Sequence, residues 1–95
     1  MATYIIVDVD VKNAKAYEEY THSVAASIAQ YGGRNLVRGE THEVLEGEWH
    51  PTRLVVLEFP SAGEAKRRYA SPEYGAVKPI FVEHAMSDMV LVDGI

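Results

Sequence analysis

Three charged residues stand in otherwise apolar, strand-like surroundings: Asp8 beside Ile6, Arg38 beside Leu36 and Glu58 beside Val56. Residues two apart on a strand share a face, so each charge belongs to an apolar sheet surface. If the three strands present those faces together, an acid–base–acid cluster occupies the floor of the sheet. A carboxylate withdrawn from water beside another carboxylate has a raised pKa, which suits it to proton transfer, while the guanidinium orients a substrate. The same cluster also reads as a structural ion-pair network that fixes register, and this reading is the one to prefer, since such networks perturb pKa values as well. Asp8, Arg38 and Glu58 are nonetheless the candidate catalytic residues.

Tyr20, Trp49, Tyr74 and His84 are the candidate ligand-binding residues. Tyr20 and Tyr74 fall at helical spacing among apolar residues, where a phenol can line a pocket between helix and sheet. Trp49 lies with Glu46, Glu48 and His50 in a long connection; its indole either stacks on a ligand as part of a flap or anchors the connection. His84 follows a Pro-interrupted helix and could exchange protons in a cleft. The four histidines, at 22, 42, 50 and 84, show no H-x-H, H-x-x-x-H or H-E-x-x-H spacing, so no metal site is expected. Gly32-Gly33 ends a helix rather than opening one, so it makes no phosphate loop, and no bound cofactor is expected. Ser71 is explained by helix capping.

Composition narrows the partners. The net charge is −5 and the largest basic run is Lys66-Arg67-Arg68, whereas nucleic-acid binding needs a basic stripe. No apolar run approaches the roughly 18 residues that span a bilayer. The absence of cysteine excludes disulfides, thiol catalysis and thiolate-ligated zinc. The N-terminus enters strand-like sequence directly, without a signal-peptide pattern. A single soluble, cytoplasmic domain over residues 1–95 is the expectation.

The elements that must position these residues follow from periodicity. Thr3 to Val9 reads as a central strand, apolar on both faces. Asn13 is a plausible N-cap for a helix to about Tyr31, whose apolar face is Tyr17, Tyr20, Val24, Ile28 and Tyr31. Arg34 to Gly39 is a second strand, with Arg34, Leu36 and Arg38 on one face. Thr41 to Pro51 connects it to the strongest strand, Arg53 to Phe59, and Glu43 to Leu45 could extend the hairpin. Ser61 and Glu64 have capping-box spacing before a helix striped by Ala62, Ala65 and Tyr69. Ser71-Pro72 restarts a helix through Tyr74, Val77 and Phe81, which Pro79 should kink or shorten. Met89 to Val92 is the last strand. The order β-α-β-β-α-(α)-β predicts an α+β, ferredoxin-like domain: an antiparallel sheet with both long helices on one face. Nothing in the chain covers the other face, which predicts a homodimer packed sheet to sheet.

Tyr20, Y-G-G-R (Tyr31–Arg34), L-V-R-G (Leu36–Gly39), E-V-L-E-G-x-W (Glu43–Trp49), R-L-V-V-L-E-F-P-S (Arg53–Ser61) and S-P-E-Y (Ser71–Tyr74) together resemble the domain of unknown function 1330 family over almost the whole chain. The resemblance implies a dimeric α+β barrel. Two positions depart from the family's usual pattern: Phe81 where an Arg is frequent, and Glu40 where a Gly is frequent. The barrel group includes cofactor-free enzymes. The expected function is therefore binding of a small organic molecule in a sheet/helix cleft, extending to cofactor-free monooxygenase- or isomerase-like catalysis. A non-catalytic dimeric binding or assembly module is the alternative.

Overall fold

Alternation along the first strand sets the architecture. In β1 (Thr3–Val11), Thr3, Ile5, Val7 and Val9 are buried while Tyr4, Ile6 and Asp8 are half-buried, the two-residue period of a strand with one face on the core. The computed structural model describes residues 2–12, 14–38 and 41–95, with the backbone alone for Ala14, Ala16, Tyr17, Glu19, Ser23, Val77 and residues 80–86. The Asn13 cap, the side chains expected of Tyr17, Val77, Phe81 and His84, and Glu40 lie outside the described residues.

After β1 come α1 (Ala14–Gln30), β2 (Arg34–Val37), β3 (Leu54–Phe59), α2 (Ala62–Tyr69), α3 (Pro72–His84) and β4 (Ala85–Asp93). The sheet order is β2-β3-β1-β4, and every neighbouring pair is antiparallel. Helix α1 therefore links β1 to β2 past β3, and α2 with α3 links β3 to β4 past β1. These two split crossovers make the ferredoxin-like α+β fold. Ile5, Val7 and Val9 of β1 join Leu57 and Phe59 of β3 against Tyr20, Val24 and Ile28 of α1, with Ala65 and Tyr74 closing the core from α2 and α3.

Local chemistry sets the ends of the elements. The amides of Gly32 and Gly33 donate to the carbonyls of Ala29 (3.0 Å) and Ile28 (2.8 Å), and Gly32 has φ 79°. This is a Schellman ending, which needs a residue free to adopt left-handed backbone. Ser61 Oγ accepts from the Glu64 amide at 3.2 Å, and Ser71 Oγ accepts from the Tyr74 amide at 3.1 Å, so both serines cap helices. Gln30 and Tyr31 donate to the Glu73 carboxylate at 3.1 and 3.2 Å, tying the end of α1 to the start of α3.

Several boundaries differ from the pattern reading. β4 begins at Ala85 rather than Met89 because it pairs with β1 along its whole length, from Thr3↔Asp93 to Val11↔Ala85. Backbone pairing thus extends a strand that side-chain periodicity alone does not mark. Residues 43–45 do not extend the hairpin and β2 stops at Val37. Helix α3 continues through Pro79; Pro79 and Gly75, four residues before it, are both exposed, so water reaches the carbonyl acceptor that proline leaves unpaired. On α2 the buried residues are Ala65 and Arg68, while Tyr69 is 43% exposed.

The sheet face away from the helices carries Tyr4, Ile6, Leu54, Val56, Val90 and Val92 by register. Val90 is 59% and Val92 46% exposed. The strand β1 expected to be covered on both sides is covered by this chain on one.

Gly33 packs its backbone on the core ring of Phe59: a Cβ there would stand 2.6 Å from Phe59 Cε1. Phe59 is almost fully buried and has no room to withdraw. Gly33→Ala is therefore expected to cost about 1–3 kcal/mol through overpacking, read as a lowered urea midpoint with unchanged slope.

Candidate ligand-binding cleft

The acid–base–acid cluster expected on the sheet floor is not assembled, and a bulge in β2 is one reason. Arg34 pairs with Glu58 and Asn35 with Leu57, but the next pair is Val37 with Val56, a register shift between Asn35 and Val37. One extra residue inverts the alternation beyond it. Val37 therefore shares the open face with Val56, and Arg38 turns to the helix side of the sheet. Asp8 and Glu58 do share the open face, but Asp8 lies opposite Leu54 and Glu58 opposite Tyr4. Four residues along a strand separate them by roughly 13 Å. Each has its own partner. Arg34 Nε donates to Glu58 Oε1 at 2.9 Å, and Asp8 accepts from Trp49 Nε1 at 3.1 Å and from the Thr52 amide at 3.0 Å.

Between α1 and the helix face of the sheet lies a cleft of about 430 Å³. Val7, Val24, Ile28 and Leu57 supply its apolar lining, and Tyr20 and His22 reach it from α1. Arg38, Arg53 and Arg68 line it as well, while no Asp or Glu does among the described residues. Arg38 and Arg53 come from the two ends of the β2–β3 connection, on the helix face. A neighbouring hollow shares Arg53 and holds Asp10 and Glu18; Asp10 is paired there with Lys12 at 2.8 Å.

Arg68 is the residue that sequence reasoning missed. It was hidden in the run Lys66-Arg67-Arg68, which reads as a solvated basic turn. The available signal was its i+3 spacing from Ala65, which places a guanidinium on the buried stripe of α2. Only 2% of Arg68 is exposed. Its guanidinium carbon stands 4.0 Å above the centre of the Tyr74 ring, a cation–π contact. Its Nε donates to Ser27 Oγ at 3.3 Å, and Ser27 in turn donates to the Val24 carbonyl at 2.9 Å. Burial pushes the Arg68 pKa below its usual value, and the phenols of Tyr20 and Tyr74 partly oppose that shift. An arginine stays protonated at neutral pH in such a setting.

The tyrosines expected near a pocket are both in this region. Tyr20 lines the cleft, and Tyr74 lies beneath Arg68, with the Tyr20 hydroxyl 3.4 Å from that of Tyr74. Trp49 is elsewhere. It is 60% exposed and bonded to Asp8, so it anchors the 38–53 connection to the open face of β1. His84 contributes its backbone to the end of α3, and its side chain is outside the described residues. Among the described residues no group of three or more His, Asp or Glu side chains could hold a metal ion.

Asp8 also stands directly opposite Asp88, a like-charge cross-strand pair that is unfavourable in isolation. The two donors from Trp49 and Thr52 offset that repulsion. Asp8→Ala is expected to release the connection: the Thr52 amide loses protection from hydrogen exchange and Trp49 fluorescence shifts to the red. Global stability should fall by only about 1 kcal/mol, because both bonds are exposed.

A protein of unknown function from Rhodopseudomonas palustris superposes with a TM-score of 0.79 at 17% identity, over 99% of this chain and 82% of its own. A dimeric ferredoxin-like protein of unknown function from Jannaschia sp. CCS1 gives 0.68 at 10% identity, over 99% and 100% of the two chains. SnoaB, a cofactor-independent oxygenase from Streptomyces nogalater, gives 0.62 at 15% identity, over 99% and 92%. At these identities the likeness is one of fold. No functionally curated protein matches the chain. The model of the domain of unknown function DUF1330 matches residues 2–95, and the chain belongs to that family.

Proposed function

We propose that this protein binds a small organic molecule in the cleft between α1 and the sheet, and that it does so as a homodimer closed through the open sheet faces. The observation that carries the binding reading is the cleft itself. A space of about 430 Å³ lined by Val7, Val24, Ile28 and Leu57 with a few polar groups has the size and mixed lining of a small-ligand site. The dimer reading rests on the exposed apolar residues of the open face and on the dimeric state of the similarly folded Jannaschia protein. A second sheet is the simplest cover for such a surface.

In this reading Asp8 and Glu58 are structural. Asp8 holds the long connection and Glu58 pairs with Arg34 at the β2–β3 edge. Tyr20 and Arg38 are the ligand-facing residues, and Tyr74 supports Arg68 from below. Cofactor-independent oxygenation by SnoaB, on a similar fold, supports assaying bound aromatic substrates for turnover in air. The cleft is the place to look for it, because a proton donor or acceptor must be within hydrogen-bond reach of the substrate, and Tyr20 and His22 line this space.

The binding test uses 1-naphthol, a neutral bicyclic probe, and amide chemical shifts. Shifts concentrated at Val7, Tyr20, Val24 and Leu57 are expected. Ala25→Trp, at an exposed position on the cleft lining, should abolish them while leaving the melting temperature within about 2 °C, as surface substitutions do. Shifts spread over the open sheet face, or none, would remove the cleft from consideration. For the dimer, Val90→Asp should convert the protein to a monomer in sedimentation velocity, since an unpaired charge is costly in a sheet-to-sheet interface. A wild-type protein that already sediments as a monomer overturns the dimer reading.

A further inference from the structure

We infer that the ligand of the α1–sheet cleft is a small organic anion, an apolar body carrying a carboxylate or similar acid that docks on Arg68 and Arg38. This inference rests on the binding reading above and adds the ligand's chemical class.

Charge distribution is the first observation. The chain as a whole is acidic, with 14 Asp and Glu against 9 Lys and Arg. Yet three of its arginines line one cleft that has no acidic residue among its described lining. The described ion pairs Lys12–Asp10, Arg34–Glu58 and Arg67–Glu64 lie at more exposed positions. Among the described residues the acidic and basic groups lining the cleft are thus all basic, in a negative protein, and a low-dielectric wall strengthens the attraction for an incoming anion.

The second observation is the state of Arg68. A buried charge is normally paired with an opposite one, because removal from water is otherwise costly. Arg68 is buried, and no carboxylate among the described residues pairs with it. Its described contacts are hydroxyls and a ring: Ser27 Oγ, the Tyr20 phenol and the Tyr74 face. These hold the guanidinium in place, and none of these described contacts carries an opposite charge. Arg68 also lines the cleft. A guanidinium has five N–H donors in a planar fork that matches a carboxylate. Arg38, across the cleft wall on the sheet side, makes no hydrogen bond or ion pair with any described residue. It is exposed, so a ligand can reach it without disturbing the core.

The third observation concerns the rest of the ligand. Val7, Val24, Ile28 and Leu57 form an apolar wall beside the arginines. Inorganic anions would leave that wall in contact with water, whereas an aromatic or aliphatic acid covers it.

The experiment is calorimetric titration with two matched pairs, 1-naphthoate with 1-naphthamide and decanoate with decanamide, on the wild-type protein, Arg38→Gln and Arg68→Lys. In the wild type, at least one acid should bind about tenfold or more tightly than its amide, as a charge-assisted bidentate contact implies. Arg38→Gln should narrow that ratio at least about threefold with little change in amide affinity. Arg68→Lys keeps the charge but loses the fork, and should weaken the acid more than the amide. If Arg68→Lys does not fold, Arg38→Gln decides alone. Amides binding as tightly as their acids in the wild type overturn the anion assignment and leave the cleft reading standing. A ratio unchanged in Arg38→Gln also overturns it. No binding by any of the four compounds at millimolar concentration overturns both.

Discussion

Everything in this molecule depends on the central position of β1. It is hydrogen-bonded along both edges, to β3 and to β4, and its side chains alternate between two surfaces. Thr3, Ile5, Val7 and Val9 must face the helices because they are the residues buried there. That choice commits the neighbours, since cross-strand partners point the same way. Leu57 and Phe59 then join the core, while Leu54, Val56, Val90 and Val92 take the opposite face. The helices cover one side of the sheet, and this chain leaves the exposed apolar residues of the other side uncovered.

The same alternation divides the polar residues. Asp8 and Glu58 fall on the open face, where one holds the 38–53 connection and the other pairs with Arg34. Arg53 falls on the helix face with Val55 and Leu57. Arg38 joins it because the β2 bulge adds one residue to the count. Positive charge thus collects on the cleft side, and two of the carboxylates nearest in register are kept on the other side. A slip of one residue in β2 would undo this separation. The bulge is therefore part of how the cleft acquires its charge.

The helices α2 and α3 meet at a hydrogen-bonded corner beside Arg68. Ser71 caps α3 and also donates to the Arg68 carbonyl at 2.6 Å, so the end of α2 and the start of α3 form one rigid corner. Tyr69 and Tyr74 meet across it in a tilted ring contact, with ring centres 5.5 Å apart. Arg68 is thereby held over Tyr74 and against Ser27, rather than swinging out to water as Arg67 does to meet Glu64.

Much of the fold was legible in the chain itself. Period-two runs marked β1 and β3, the serine–proline and serine–glutamate patterns marked helix starts, and Gly32-Gly33 marked a helix end; each is a local effect of backbone sterics and hydrogen bonding. The uncovered sheet face was legible too, from counting apolar faces against available helices. Helical spacing put Tyr20 and Tyr74 on inward faces; Tyr20 lines the cleft, and Tyr74 packs beneath Arg68. What local pattern could not supply was the direction of Arg38, because a bulge leaves no mark on side-chain alternation within a strand of four residues. The burial of Arg68 was equally hidden, since a guanidinium in a basic run reads as solvated until the Tyr74 ring and Ser27 are seen to enclose it. The length of β4 was decided by its pairing with β1 rather than by its own residues. Sequence periodicity determines which face a residue takes along an unbroken element, and only tertiary packing decides where that element breaks and which charges are carried inside.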